Sequence, residues 1–417
     1  MTKATTASPD QADRDRALQI NRSFIVQAPA GSGKTSLLVK RYLRLLAQVT
    51  QPEEILAITF TRAAAAEMKQ RVLLELQKDT SLTQVIRAKD RSLNWRLSQN
   101  PQRMKIQTID SFATEIATQI PGTQSAEGMR IEEQPAPLYL QAAQNTLGRL
   151  FSDDPSGLFV TEFLAALDNN ANTAERVLTA MLAKRDQWLD VTGLITSLAL
   201  SDYAAIKQTM IRAVSDLRRE ILSAVSAALT PSDHEMIHTL ARETDKQASL
   251  EALLPLILTQ TGSIRKTVDR RQSKAFTDSA LKAQTVDWLE KLRGRKLEGL
   301  LQTCAMLPKI DENTDKVVAT GVTLALAASE LETLLRKRHT IDFTGMLMRA
   351  SQGLRDEKGP TELAIYWDYK IKHLLVDEFQ DTSRSQYRFF CLLTEGWSAE
   401  EGNTFFAVGD PMQSIYR

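Results

Sequence analysis

Cysteine, long apolar runs and net charge are all scarce in this chain, and each shortage excludes something. Two cysteines, Cys304 and Cys391, stand far apart among 417 residues. They leave no disulfide framework and no cysteine-based zinc site, and they suit a reducing compartment such as the cytoplasm. No apolar run reaches about 18 residues, the length of a membrane-spanning helix, so no membrane span is expected. Residues 1–9 are polar and lack the apolar core of a secretory signal. Lys and Arg number 52 against 51 Asp and Glu, a formal net charge of +1. Any nucleic-acid site must then be a local basic patch rather than a property of the whole chain. Internal repeats and low-complexity blocks are absent too.

What is present begins with Ala28-Pro29-Ala30-Gly31-Ser32-Gly33-Lys34-Thr35. The segment follows an apolar run (Phe24, Ile25, Val26) and opens a helical pattern (Leu37, Leu38, Tyr42, Leu45, Leu46). That is the strand–loop–helix setting of a phosphate-binding loop. Successive backbone N–H groups wrap phosphates there, and the helix N-terminus adds partial positive charge. Lys34 would reach the β- and γ-phosphates of a nucleoside triphosphate, and the Thr35 hydroxyl would sit on Mg²⁺. The usual first glycine is replaced by Ala28. The plainer alternative is a glycine-rich turn followed by a chance Lys-Thr.

The α/β pattern spreads outward from this loop. Strands are expected at 23–28, 55–60 and 104–109, with helices near 34–48, 62–78 and 110–120. Such alternation implies a parallel sheet covered on both faces. Pro121-Gly122, Pro135 and Pro137 then punctuate a change. From about 138 to 335 strand signals vanish, and long amphipathic stretches take over at 138–151, 204–229, 281–307 and 317–335. The α/β pattern returns with an apolar run at 374–376, a helix near 384–395 and a strand at 404–408. The expectation is an α/β domain of parallel-sheet type, residues 1–125 and 336–417, interrupted by a large all-helical insertion, residues 126–335.

Two further segments complete the chemistry. His373-Leu374-Leu375-Val376-Asp377-Glu378 is a buried strand ending in two acids. In nucleotide hydrolases the first acid holds Mg²⁺ and the second orients or deprotonates the attacking water. Asp377 takes the first role and Glu378 the second; an acidic strand end at the surface is the alternative. Gly409-Asp410-Pro411 marks a sharp turn after the last strand, and Gln413 beyond it is placed to sense a γ-phosphate or its water.

Together these residues resemble the helicases of superfamily one, specifically the UvrD/Rep group and its AddA/RecB-like relatives. The match runs in order through five motifs. Residues 28–35 resemble the first. Thr59-Phe60-Thr61-Arg62-Ala63-Ala64-Ala65-Ala66-Glu67-Met68 resembles the second and Gln107-Thr108-Ile109-Asp110-Ser111-Phe112 the third, both contacts to single-stranded DNA. Asp377-Glu378-Phe379-Gln380-Asp381 is similar to the acidic signature that sets the group apart, and residues 409–416 to the motif that couples the γ-phosphate to DNA. The resemblance implies a P-loop, RecA-like fold and an ATP- and Mg²⁺-dependent DNA helicase or translocase of repair or recombination with 3′→5′ polarity. Lys34, Glu378 and Gln413 are then catalytic, residues 28–35 bind ATP, and Thr35 and Asp377 hold Mg²⁺. A Gln upstream of the loop reads adenine, and Gln11 is the candidate.

On the DNA side the resemblance implies base stacking by Phe60, for which a core position capping the sheet is the alternative. Phosphate contacts fall to Thr61, Arg62, Thr108 and Ser111, the hydroxyl residues serving also as helix N-caps. Thr59 and Tyr416 complete the set. Ala63 stands where the group usually has Lys, and Asp110 where it often has His. Beyond the last motif the family continues into a second RecA-like lobe that supplies arginines to the transferring phosphoryl group. The expected partners are therefore single-stranded DNA and a duplex junction or end, that second lobe, and a nuclease, as a domain or as a separate subunit. A chain ending at Arg417 is read as the N-terminal portion of such a helicase, inactive as a motor alone. The alternative function is a non-catalytic ATP- and DNA-binding module.

Two patterns lie outside the motifs. Arg265, Lys266, Arg270, Arg271 and Lys274 surround one acid, Asp269, and read either as a grip on duplex DNA or as a solvated surface. His234-Glu235-Met236-Ile237-His238 matches a zinc-hydrolase pattern, but no third histidine follows within the next hundred residues.

Overall fold

The computed structural model describes residues 10–29, 31–121, 128–189, 203–259, 262–295, 297–306, 310–356, 358–398, 400–410 and 412. Five strands form the main sheet: β1 (Phe24–Gln27), β2 (Ile55–Thr59), β3 (Lys105–Thr108), β8 (His373–Val376) and β9 (Thr404–Gly409). Their order is β1-β9-β8-β2-β3, and every pairing is parallel. Four two-residue strands make minor pairs, β4 (Arg130–Ile131) with β5 (Thr340–Ile341) and β6 (Arg355–Asp356) with β7 (Gly359–Pro360). Ile55 of β2 pairs with His373 of β8, so the centre of the sheet joins two segments separated by the whole helical stretch.

Alternation along the central strands explains the two-faced core. Ile55 and Ala57 of β2, Leu375 of β8, and Phe406 and Val408 of β9 point to one side. There they meet α2 (Lys34–Leu46), α3 (Arg62–Gln77) and α4 (Ser81–Ser92) through Leu38, Tyr42, Leu45, Met68, Val72 and Ile86. Leu56, Ile58, Leu374, Val376 and Ala407 point to the other side and meet α5 (Ile109–Ala117) and the helices Phe343–Leu354, Glu362–Lys370 and Arg384–Leu393. A strand buried on both faces reads as a continuous apolar run, which is why β2 and β8 were visible in the sequence. β1, β2 and β3 are a residue or two shorter than expected, and β8 and β9 are one residue longer.

The chain divides into two compact units. One comprises Met1–Leu138, Ala183–Gln187 and Glu332–Arg417, and the other Tyr139–Leu182 and Trp188–Leu331. The described residues of the second unit form helices and one isolated bridge, Leu258 with Ile264. Leu240, Leu253, Leu254, Trp288, Leu289 and Leu292 lie in a shared core there.

Three details depart from the sequence reading. The stretch 281–307 is two helices, Ser279–Gly294 and Glu298–Met306, because the first terminates at Gly294-Arg295. Helix α4 was not anticipated; Thr80 and Thr83 form a reciprocal capping box at its start. Helix Ile310–Lys337 contains a segment, Asp315–Lys337, long and apolar enough to cross a membrane, with a mean hydropathy of 1.4. Of that window 61% is buried inside the fold, with Val318, Val322 and Leu331 fully covered, as in a core helix.

Candidate nucleotide and nucleic-acid sites

The phosphate loop leaves β1 and enters α2. The Ala28 N–H donates to the Gly409 carbonyl at 3.0 Å, carrying the β1–β9 ladder one step into the loop. Gly31 and Gly33 hold φ of +73° and +84°, a left-handed backbone that favours glycine. Gly33 is the N-cap of α2, which aims the first N–H groups of that helix into the loop. Lys34 is buried, yet among the described residues its ammonium makes no hydrogen bond, and it lies 3.6 Å from Glu378 Oε2. The buried Ser32 hydroxyl likewise has no hydrogen-bond partner among the described residues. Buried polar groups without partners are rare and costly, and phosphate oxygens would satisfy both. The residues present therefore fit a nucleoside triphosphate.

Asp377 and Glu378 follow β8 directly. The Asp377 N–H donates to the Ile58 carbonyl at 2.9 Å, which fixes the strand end. Its side chain is only 9% exposed. Burial, reinforced by the charge of Glu378, pushes its carboxyl from 3.8 up to about 6, against the pull of the Glu378 N–H, Lys34 and Arg71. A desolvated carboxylate that has no cationic partner in hydrogen-bond contact among the described residues suits a bound divalent cation, which Thr35 could share. Glu378 adopts a left-handed backbone, φ 48° and ψ 46°, a conformation that costs about 1–3 kcal/mol in a non-glycine residue. Its Oε2 accepts a 2.7 Å hydrogen bond from Gln380 Nε2. Gln380 Oε1 in turn accepts from the Asp410 N–H at 2.9 Å.

Beside the loop lies a cavity of about 300 Å³, lined by Arg14, Phe24, Val26, Ser32 and Lys34 among others. Arg14 donates to the Ser32 carbonyl at 2.5 Å and pairs with Asp10 at 2.8 Å, so it ties helix α1 (Gln11–Ala17) to the loop. Gln11 is placed differently from the expectation. It is exposed, donates to Asp15 one turn on at 2.9 Å, and does not line this cavity. Arg14, three residues later on the same helix, is the side chain that reaches the loop. Arg41 was likewise missed. It is fully buried, donates to the carbonyls of Ala17, Gln19 and Arg22, and stacks 4.5 Å from the Phe406 ring centroid. Nothing in its sequence context distinguishes it from a surface arginine on an amphipathic helix.

The residues expected to face DNA follow β2 and β3. Phe60 is 45% exposed rather than packed in the core. With Arg62, Asp110, Ser111 and Phe343 it lines a groove of about 450 Å³. Thr61 and Thr108 are the N-caps of α3 and α5, accepting from the Ala64 and Ser111 N–H groups at 3.0 and 3.2 Å. Ser111 is not a cap; its hydroxyl pairs with that of Thr108 at 2.9 Å. Thr59 is 1% exposed and donates to the Thr61 carbonyl, so its hydroxyl is spent inside the protein. Arg62 lies 3.8 Å from Glu133. Burial holds the Asp110 carboxyl above its ordinary value, opposed by Arg62. Gln413, Tyr416 and Ala30 lie outside the described residues.

In the other unit, His234, Glu235 and His238 are exposed on helix Pro231–Glu243. Among the described residues no three metal-ligating side chains come together. The basic cluster at 265–274 occupies an irregular segment ahead of a short helical turn, Lys274–Thr277.

Comparison with known proteins bears on the same segments. The chain is 26% identical over 437 residues to an ATP-dependent helicase/nuclease subunit from Bacillus pumilus, covering 95% of this chain and 34% of that protein. It is 27% identical over 451 residues to the protein of the same name from Moorella thermoacetica, covering 98% and 31%. The chain thus spans about a third of the length of these curated relatives. A family model described as the UvrD/REP helicase N-terminal domain matches residues 10–417, nearly the whole chain, and its phosphate loop, paired acids and five-stranded parallel sheet all fall within that match. The chain belongs to the UvrD/REP helicase N-terminal domain family.

Proposed function

We propose that this chain forms the nucleotide-binding wall of an ATP-driven DNA helicase or translocase. One observation carries the reading: a buried Lys34 ammonium that, among the described residues, makes no hydrogen bond and lies 3.6 Å from Glu378 beside a phosphate loop. Residues 28–35 wrap the triphosphate through backbone N–H groups, and Lys34 neutralises its β- and γ-oxygens. Thr35 and Asp377 would hold Mg²⁺, which when bound offsets charge on those oxygens. Glu378 takes a proton from the attacking water, and Gln413 orients that water toward the γ-phosphorus. A second RecA-like lobe supplies the arginines that complete the site, a contribution worth about 10³–10⁵ in rate.

Single-stranded DNA then lies along the groove beside Phe60, with bases stacked on that ring and phosphates near Arg62, Thr61 and Ser111. Thr59 drops out of the contact set because its hydroxyl is already engaged inside the protein. The names of the relatives join helicase to nuclease, which supports action beside a nuclease; DNA repair or recombination, 3′→5′ movement and a cytoplasmic location complete the proposal on the resemblance and composition of the sequence alone.

The test is phosphate release with the second RecA-like lobe present, with and without single-stranded DNA, compared between wild type and Glu378→Gln at equal ATP occupancy. The reading requires Glu378→Gln to bind ATP but release no phosphate above background. Equal release by both proteins refutes the role of Glu378. ATP and DNA binding with no release from wild type itself favours the non-catalytic binding module.

A further inference from the structure

The Gln380 side chain sits between two segments that must act together. Its amide NH₂ donates to Glu378 Oε2 at 2.7 Å, and its amide oxygen accepts the Asp410 N–H at 2.9 Å. The amide orientation is fixed chemically, because a backbone N–H needs an acceptor and a carboxylate needs a donor. The fit is close on both sides. A Cβ on Gly409 would lie 2.7 Å from Gln380 Oε1 and 3.1 Å from the Gln380 backbone nitrogen. Glu378 needs such a hold, since its left-handed backbone is a conformation a glutamate leaves readily without support.

We propose that Gln380 is a positioning residue that holds the Glu378 carboxylate in its water-facing geometry and links it to the loop after β9. The inference rests on Glu378 being the water-activating carboxylate proposed above. Gln380 Nε2 and Lys34 Nζ both approach Oε2. Among the described residues, Oε1 has no hydrogen-bond partner, and the side chain keeps 40% of its surface exposed. One oxygen is thus anchored and the other is left to accept the proton of water. A neutral amide is the right anchor, because a cation there would weaken the base and a second carboxylate would repel it. The same amide reads the position of the Asp410 N–H. A shift of residues 409–410, which lead to Gln413, would therefore move the Glu378 carboxylate as well.

Gln380→Glu separates this role from a structural one. It is isosteric and keeps an acceptor for the Asp410 N–H, but it replaces the donor to Glu378 with a carboxylate. The groups that face the new pair are Lys34, Asp377 and Asp381, with Arg71 acting on Asp377. Single-turnover phosphate release is measured at pH 7 with the second RecA-like lobe present, with Glu378→Gln as the zero and ATP affinity measured in parallel. The expected result is ATP affinity within about twofold of wild type with release slowed at least about tenfold at pH 7. If Gln380→Glu folds poorly, Gly409→Ala tests the contact from the other side, and slowed release with retained ATP binding supports the proposal. Wild-type release in a folded Gln380→Glu protein overturns the inference alone. Wild-type release in Glu378→Gln overturns the underlying reading, and the inference with it.

Discussion

Replacing Asp377 with Asn should stabilise the protein when divalent cations are removed. The carboxyl is 9% exposed and is pushed from 3.8 up to about 6 by burial and by Glu378. The folded state therefore holds this proton more tightly than the unfolded chain does. The sign follows from linkage: the associated stability is fully present below pH 3.8 and is lost as pH rises through about 6. At 1.36 kcal/mol per pH unit, the difference amounts to about 3 kcal/mol at neutral pH. Asn keeps the shape and an acceptor for the Glu378 N–H but carries no charge to desolvate. In EDTA at pH 7.5 the variant should melt above wild type by about 6–12 °C for a unit of this size. The gap should close at pH 4. With Mg²⁺ and ATP the order should reverse, because only wild type gains the ligand's stabilisation. Differential scanning calorimetry across pH 4–8 reads all three results. A gap independent of pH, or a variant less stable than wild type in EDTA, refutes the assignment of Asp377 as a strained, cation-seeking carboxylate.

Phe60→Ala should weaken single-stranded DNA binding by about 1–3 kcal/mol, one stacked base, with unfolding unchanged because the ring is half-exposed; fluorescence anisotropy with a labelled oligonucleotide measures it. Arg185→Leu should destabilise the α/β unit by about 3–5 kcal/mol. It strands the Asp342 carboxylate, which is 1% exposed and receives Arg185 Nη1 at 2.7 Å, and adding Asp342→Asn should recover part of the loss in urea denaturation.

The α/β frame was legible because its strands are buried on both faces. Ile55–Ile58 and Leu374–Val376 are unbroken apolar runs, and the glycines of the loop advertise a backbone that other residues adopt with strain. The expected acids, lysine and loop come together as the motifs required. What escaped was settled by tertiary contact rather than by local pattern. Gln11 and Arg14 share one helix, and only folding decides which one reaches the loop. Ser111 and Thr108 stand three residues apart at a helix start, and the choice of cap depends on where β3 ends. Thr59 closes β2 with its side chain turned inward, a fact of register invisible in the motif. Gln380 belonged to a recognised motif, but its link to Asp410 spans 30 residues. The break at Gly294-Arg295 interrupts an amphipathic stretch that sequence alone reads as continuous.

Equilibrium binding of Mg²⁺–ATP to wild type and Lys34→Ala tests the central claim most directly. The account predicts saturable, stoichiometric binding by wild type and its loss in a Lys34→Ala protein that melts normally, because the buried ammonium, which makes no hydrogen bond among the described residues, is the group the phosphates complete. Equal affinity in the two proteins would contradict it.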